Sequence, residues 1–281
     1  MNFTRRIPAL ALSLATLGAC ASGGASASAA APAPVPARAA SCVASTSSTL
    51  PEACDVLDRY AKAIGGRDAL AKHSSMHQTG VLEFAGAGIK ADMQIFLAKP
   101  NLMLTRMTVP GMGEISRGFD GTTGWTIEPT SGPMVLSGKP LEQMKIESDF
   151  MGMMHDPKSF ASVQTVGLVD FEGKPAYELR LVRVGGDTAT EYFDPQSGLQ
   201  VGLVRSVDSP MGRMKVIGAV GDYKPFGDLT LPTRMTQKLP TGQQMALTLT
   251  AVEFDTVPSA TFALPAPIKA LASPATAPTK P

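Results

Sequence analysis

Apolar and polar residues alternate along several stretches of this chain. The alternation is clearest in residues 91–95, 175–181 and 245–250. An apolar residue at every second position is typical of an antiparallel sheet that has one buried face and one solvent-exposed face. Turn signals such as Asp120-Gly121 and Phe226-Gly227-Asp228 recur about every eight to twelve residues, as expected for meandering hairpins. They delimit roughly a dozen strands, which suits a large curved sheet better than a small closed barrel.

Three segments replace the alternation with helical spacing. Apolar residues recur at helical intervals between residues 56 and 64 and stop at Gly65-Gly66, and residues 67–72 suit a short second helix. Residues 139–154 predict a third helix, midway through the strands. Such an insertion needs a surface to lie on, and the concave apolar face of the sheet offers one. The prediction is an α+β fold: a strongly curved, unclosed antiparallel β half-barrel with helices covering the concave face.

The N-terminus has the features of a secretory signal. Arg5 and Arg6 precede an apolar run over residues 7–17, which is too short to remain as a membrane span. The run ends in Leu17-Gly18-Ala19-Cys20, a lipobox pattern, so Cys20 is the predicted lipidation site; cleavage at Ala27-Ser28-Ala29 is the alternative. We therefore expect a signal peptide over 1–19, an Ala/Ser/Pro-rich tether over 20–50, a folded domain over 51–268 and a disordered tail over 269–281.

Cysteine usage and charge restrict the setting further. Cys42 and Cys54 enclose a short loop, and an oxidising envelope favours a disulfide between them over two free thiols. Removing the two arginines of residues 1–19 from 25 basic residues leaves 23 against 24 acidic ones. A near-neutral domain without a basic stripe argues against nucleic acid as a partner.

Catalytic and metal-binding motifs are weak or absent in the sequence. There is no Gly-x-Ser-x-Gly elbow, no His-Glu-x-x-His and no phosphate-cradling glycine loop. His73 and His77 have a spacing that suits a metal on a helix, but Ser74-Ser75 lies where helix gives way to strand, so a solvated pair is favoured. Residues 151–155 (Met-Gly-Met-Met-His) suggest a copper site, because thioether and imidazole ligands suit Cu(I). The 15 methionines are otherwise dispersed through strands, which favours an adaptable apolar surface or core packing, and no metal is predicted.

Five short motifs follow one another between Val56 and Pro265. They are Tyr-Ala-Lys-Ala-Ile-Gly-Gly (60–66), Phe-Asp-Gly-Thr-Thr-Gly-Trp (119–125), Tyr-Phe-Asp with Ser-Gly-Leu (192–194, 197–199), Asp-Tyr before Gly227 and Leu-Pro (222–223, 231–232), and Phe-Ala-Leu-Pro (262–265). Their order and spacing resemble the LolA/LolB-like family of periplasmic lipoprotein carriers, among the outer-membrane lipoprotein-sorting proteins. The resemblance implies an unclosed antiparallel barrel with helices over an apolar cavity that takes acyl chains, and it brings no catalytic residues and no cofactor.

The resemblance also implies a place and a role. In that family, lipoproteins whose lipidated cysteine is not followed by aspartate go to the outer membrane, and Ala21 follows Cys20 here. We therefore expect an outer-membrane lipoprotein facing the periplasm that binds lipid or lipoprotein acyl chains as a carrier or acceptor. The alternative is an envelope sensor or scaffold that binds a protein partner on the same fold. Copper handling ranks third, and an enzyme last.

The strand alternation and the helical insertion predict the lining of the cavity. The predicted ligand-binding residues are Met93, Ile95, Leu97, Leu179, Leu181 and Val216 on the concave face, with Met144, Phe150, Met153 and Met154 as a movable cover. Trp125 follows a turn and suits either the cavity mouth or the core. The competing interpretation is that all of these residues form a filled core without a cavity.

Overall fold

The structure is a computed structural model that describes residues 41–184, 186–209, 212–239 and 242–272. The lipobox with Cys20, the tether up to residue 40 and the end of the tail from residue 273 lie outside these residues. In the part of the chain that is described, no helix is both long enough and apolar enough to cross a membrane.

Fourteen strands form one sheet within the described ranges. The short β1 (Ser41–Cys42) comes first, followed by a run of β2 (Ser75–Ala85), β3 (Ile89–Ala98), β4 (Leu102–Val109), β5 (Gly113–Phe119), β6 (Gly124–Glu128) and β7 (Gly132–Val135). The second run is β8 (Phe160–Phe171), β9 (Lys174–Arg183), β10 (Thr188–Phe193), β11 (Gln200–Ser209), β12 (Gly212–Phe226), β13 (Leu229–Lys238) and β14 (Gln244–Phe254).

Each run is an antiparallel meander, and one pairing joins the two meanders. The order across the sheet is β1-β8-β9-β10-β11-β12-β13-β14-β2-β3-β4-β5-β6-β7. The antiparallel pair of β14 and β2 is therefore the seam between two sets of sequential hairpins. β1 pairs in parallel with β8 at one edge, and β7 forms the other edge. The two edges do not pair with each other, which confirms the predicted α+β, unclosed antiparallel half-barrel.

The helices lie before, between and after the two meanders in the chain. They are α1 (Ala53–Ala63), α2 (Arg67–Ala71), α3 (Gly138–Glu147) and α4 (Ala266–Ala272), with 3-10 turns at Gly152–Met154, Pro157–Ser159 and Ser259–Phe262. The predicted helix over 139–154 is wrong in its second half, because α3 ends at Glu147. There the Asp149 side chain accepts a hydrogen bond from the backbone N–H of Met151 at 3.0 Å. Such local bonds compete with helical ones and turn the chain so that Phe150 and Met154 reach the interior.

The first helix follows directly from its sequence. Val56, Leu57 and Tyr60 recur at helical spacing and are buried, and Asp55 lies in the first turn, where the helix dipole favours an acid. Gly65 ends the helix with a φ of +114°, and a Cβ there would lie 2.3 Å from the backbone oxygen of Asp228. Only glycine therefore allows α1 to come this close to the start of β13.

A disulfide ties the start of α1 to the sheet. Cys42 in β1 is bonded to Cys54 in the first turn of α1, with 6.0 Å between the Cα atoms. Because β1 pairs with β8, the bond fixes α1 relative to the edge of the second meander.

Candidate functional site

One end of the concave face is filled. There α1, α2 and residues 149–155 pack against strands of the second meander and against Met76 of β2 in one apolar cluster, which we call the covered core. Its fully buried members include Leu57, Phe150, Met154, Leu179, Leu181 and Phe193, each with 0% exposure. Four of the predicted ligand-binding residues, Phe150, Met154, Leu179 and Leu181, therefore lie in a filled core. Met153 is half-buried against the same cluster.

A buried ion pair fastens residues 149–155 to this core. Nε2 of His155 lies 2.8 Å from Oε2 of Glu191 on β10, and Nδ1 of His155 donates to the carbonyl of Met153 at 3.0 Å. Nε2 of Gln200 donates to the same Glu191 oxygen at 3.1 Å. His155 has a φ of 47°, a left-handed conformation that non-glycine residues rarely adopt. Since both ring nitrogens are engaged within the protein, the arrangement does not favour copper at residues 151–155.

The environment of the pair sets its protonation. Burial lowers the pKa of His155, but Glu191 more than reverses this effect, so the pKa is raised above the ordinary histidine value. The Tyr60 ring packs edge-on against His155 with 5.0 Å between ring centroids. Burial, together with the charge of Glu191, raises the pKa of Tyr60, so its hydroxyl stays neutral.

The third helix covers a second, smaller part of the concave face. Met144 is buried with Met103, Phe119 and Leu136, and Leu97 packs against this cluster. Gly124 makes the approach possible, because a Cβ there would lie 2.8 Å from Leu141.

The end of α3 carries an ion cluster that reaches both meanders. Oε2 of Glu147 accepts from Nη2 of Arg117 on β5 at 2.7 Å, and Oε1 accepts from Nε2 of Gln143 at 2.8 Å. Nη1 of Arg205 on β11 lies 4.0 Å from Oε1. Burial raises the pKa of Glu147, but Arg117, Gln143 and Arg205 outweigh it, so the pKa is lowered and the carboxylate is charged at neutral pH.

Away from these covered parts, a row of apolar side chains crosses the seam of the sheet. Residues directly opposite one another in a ladder share a face. Leu82 on β2 lies opposite Leu247 on β14, which lies opposite Met235 on β13, which lies opposite Val220 on β12. All four side chains are half-buried. The row continues to Ala91 of β3, which lies opposite Leu82.

The row belongs to the concave face. Leu97 packs in the cluster under α3, and alternation along β3 places Ile95, Met93 and Ala91 on the same side as Leu97. Met93 and Ile95 are half-buried beside the row. We call the surface formed by Leu82, Met93, Ile95, Val220, Met235 and Leu247 the trough.

Two other predicted residues lie outside the trough: Val216 is on the same face, and Trp125 is on the opposite face. Val216 is buried on the concave face, directly opposite Arg205. Trp125 lies on the other face: its ring would contact a Cβ at Gly118 at 2.7 Å, and it is buried with Leu104, Phe262 and Ile268. The prediction that Trp125 lines the cavity mouth is therefore wrong, because the segment after β14 covers this side chain on the convex side.

The two histidines singled out by spacing face acids at the end of β14 rather than each other. Nδ1 of His73 lies 2.7 Å from Oδ2 of Asp255, and Nδ1 of His77 lies 3.6 Å from Oε2 of Glu253. Both rings also stack on phenylalanines. Among the described residues, no group of three or more His, Cys, Asp and Glu is placed to hold a metal ion.

Sequence reasoning missed most of the trough. Leu82, Val220 and Met235 were not predicted as site residues, and Leu247 was noted only as part of an alternating strand. The alternation marks the apolar side of each strand, but only the pairing of β14 with β2 brings the sides together in one row.

Comparisons with known proteins identify the fold. A DUF1329 family protein from Desulfovibrio piger matches with a TM-score of 0.53 and 11% identity, over 75% of this chain and 97% of that one. A LolA superfamily protein from Nitrosomonas europaea matches with a TM-score of 0.52 and 14% identity, over 76% of this chain and 99% of that one. No family model and no curated protein matches the sequence. The resemblance to LolA-type proteins therefore holds at the level of the fold.

Proposed function

We propose that this protein is an envelope lipoprotein that binds acyl chains of lipids or lipoproteins in the trough, as a carrier or acceptor. The observation that carries the proposal is the continuous row from Leu82 to Val220, which is apolar, lies on the concave face and is only half-buried. The fold shared with a LolA superfamily protein supports it. The proposal includes no catalytic step.

The dimensions and chemistry of the trough suit an acyl chain. The row from Leu82 to Val220 crosses four strands, which corresponds to about 14 Å at the usual strand spacing, and it is bounded by the fully buried Ala91 on β3. Burying a sixteen-carbon chain stabilises a complex by about 12 kcal/mol gross, and the ordering of chain and protein offsets a large share. Met93 and Met235 are flexible and polarizable, so they adapt to chains of different shape.

The test is binding of a fluorescent fatty acid to the full chain. We expect Leu247→Glu to abolish binding, because it places a carboxylate in the middle of the row. Thr248→Glu is the matched control: it adds the same charge one residue further along, on the convex face. A wild-type protein that does not bind the probe, or a Leu247→Glu variant that binds like wild type, would contradict the proposal.

A second experiment asks what the protein carries when it is purified. Native mass spectrometry of protein prepared without detergent should show phospholipid or acyl chains bound to the wild type and lost from Leu247→Glu. Bound copper at one equivalent, or a protein partner held equally by both forms, would overturn the acyl-chain proposal.

We also propose that Cys20 is lipidated and anchors the protein to the outer membrane, facing the periplasm. Acyl chains on a cysteine hold a protein at a membrane by about 0.8 kcal/mol for each buried CH₂. Cys20→Ala should therefore move the protein to the soluble periplasmic fraction, whereas Ser22→Ala should leave it with the membranes. A Cys20→Ala variant that still sediments with membranes would disprove the anchor.

A further inference from the structure

Arg205 places a guanidinium on the concave face beside the trough. It lies directly opposite Val216 on β12, and alternation places Leu203 on the same face, one side-chain step nearer the trough. Leu203 is half-buried and apolar, so it connects Val220 at the end of the row to Arg205. The concave surface is therefore apolar along the row and positively charged at the β11 end.

The charge on Arg205 is not matched by the residues around it. In the ion cluster, the Glu147 carboxylate receives its hydrogen bonds from Arg117 and Gln143, at 2.7 and 2.8 Å. Its nearest approach to Arg205 is 4.0 Å, which is beyond a hydrogen bond. The cluster thus has two guanidinium groups and one carboxylate, and Arg117 holds that carboxylate.

One nitrogen of Arg205 has no partner. Its Nε is buried and makes no hydrogen bond within the described residues, while 37% of the side chain remains exposed. A buried N–H without a partner costs about 1–3 kcal/mol, and more when the group is charged. The exposed part of the same guanidinium is open to a ligand that approaches along the concave face.

We propose that Arg205 binds the anionic head group, a carboxylate or a phosphate, of a single-chain amphiphile whose acyl chain lies in the trough. The inference rests on the proposed function and names the chemical class of its ligand. The planar fork of a guanidinium matches two oxygens of either head group, and such charge-assisted bonds are among the stronger hydrogen bonds in proteins. The head group would bind the exposed Nη atoms of Arg205, which make no hydrogen bond to Glu147.

The experiment compares two probes that share a chain and differ in charge. The full-length protein is titrated with cis-parinaric acid and with its methyl ester, and fluorescence reports binding of each. We expect the wild type to prefer the acid by about tenfold or more, as one charged hydrogen bond allows. Arg205→Gln should remove this preference and leave the affinity for the ester unchanged. Arg205→Lys, which keeps the charge but not the fork, should retain part of it.

Arg180→Gln is the matched control, because Arg180 is exposed on β9 and alternation with Leu179 and Leu181 places it on the convex face. It should keep the full preference for the acid. Competition with lysophosphatidylglycerol then distinguishes the two head groups: Arg205-dependent displacement of the ester probe assigns a phosphate, and its absence assigns a carboxylate.

The outcomes separate this inference from the proposed function. Equal binding of acid and ester by the wild type, or a preference that survives in Arg205→Gln, would overturn the role of Arg205 while leaving the trough intact. Failure of the wild type to bind either probe would overturn the proposed function itself.

Discussion

The covered core and the trough occupy the same concave face and have similar compositions, yet they differ in what lies over them. Leu179 and Leu181 on β9 are fully buried beneath α1 and residues 149–155. Leu247 and Met235 on the central strands are equally apolar but are only half-buried. α1, α2 and residues 149–155 cover one end of the concave face, and α3 packs against β5 and β6. The row from Leu82 to Val220 belongs to neither of these two clusters.

This difference shows that strand sequences alone do not decide whether a concave apolar face is a core or a binding surface. The covering segments decide, and here they are fixed by polar contacts. The His155–Glu191 pair holds residues 149–155 against the second meander, and the Glu147–Arg117 pair holds α3 against the first. Changes within the two regions should therefore have opposite consequences for stability and for binding.

The largest expected effect comes from placing the same charge in each region. Leu181→Glu buries an unpaired carboxylate in the covered core and should lower the free energy of unfolding by on the order of 4 kcal/mol. Leu247→Glu keeps its carboxylate within reach of water and should cost about 1 kcal/mol or less. Urea unfolding of both variants checks this, and similar losses in the two would mean that the trough is a filled core.

Breaking the buried His155–Glu191 pair should have the next largest effect on stability. Glu191→Gln leaves His155 buried without its acid and should cost about 3 kcal/mol. It should also change the pH dependence of stability. In the wild type the raised pKa of His155 means that its stabilising contribution is present below about pH 6.5 and is lost as the pH rises through the raised value.

In Glu191→Gln, burial remains and the group that raised the pKa is gone. The pKa of His155 should then fall below its ordinary value, so that stability is lost as the pH falls instead. Burial raises the pKa values of the neighbouring Tyr60 and Tyr223, so both hydroxyls should stay neutral over this pH range. Unfolding free energies measured from pH 5 to 8 should show slopes of opposite sign in the two proteins, and parallel curves would refute the assignment.

Removing the disulfide tests how far the covered end depends on its link to the sheet edge. The double variant Cys42→Ser, Cys54→Ser should lose on the order of 2–3 kcal/mol, as expected for opening so short a loop. Its binding of the fatty-acid probe should not change, since neither cysteine lies in the trough. Dithiothreitol should destabilise the wild type and leave the double variant unaffected.

Shortening a side chain in the trough should have the smallest effect on stability and a clear effect on ligand binding. Met235→Ala removes a half-buried side chain from the row and should cost less than about 1 kcal/mol. It should weaken binding of the probe severalfold, because the chain loses apolar contact in the middle of the trough. Met154→Ala, at a fully buried position of the covered core, should lower the free energy of unfolding by about 2–5 kcal/mol. Urea unfolding measures the loss of stability in both variants.

The sequence predicts local structure well where a single residue dictates it. Gly65 ends α1 because no side chain fits there, and alternation along residues 91–97 places Met93 and Ile95 correctly on the concave face. Trp125 was unresolved because Gly124 precedes it in a short strand, where alternation carries little information. The division into covered core and trough depends on helix placement and on the pairing of β14 with β2, which are set by contacts far apart in sequence.

That seam between β14 and β2 also has a consequence for how the protein folds. Every other antiparallel pair joins strands adjacent in the chain, so each meander grows by closing short loops. Pairing β14 with β2 requires closing almost the whole described chain, which is entropically the most demanding step. The trough crosses this seam, with Leu82 on one side and Leu247 on the other. We therefore expect the proposed binding surface to form last during folding, when the two meanders join along their full length.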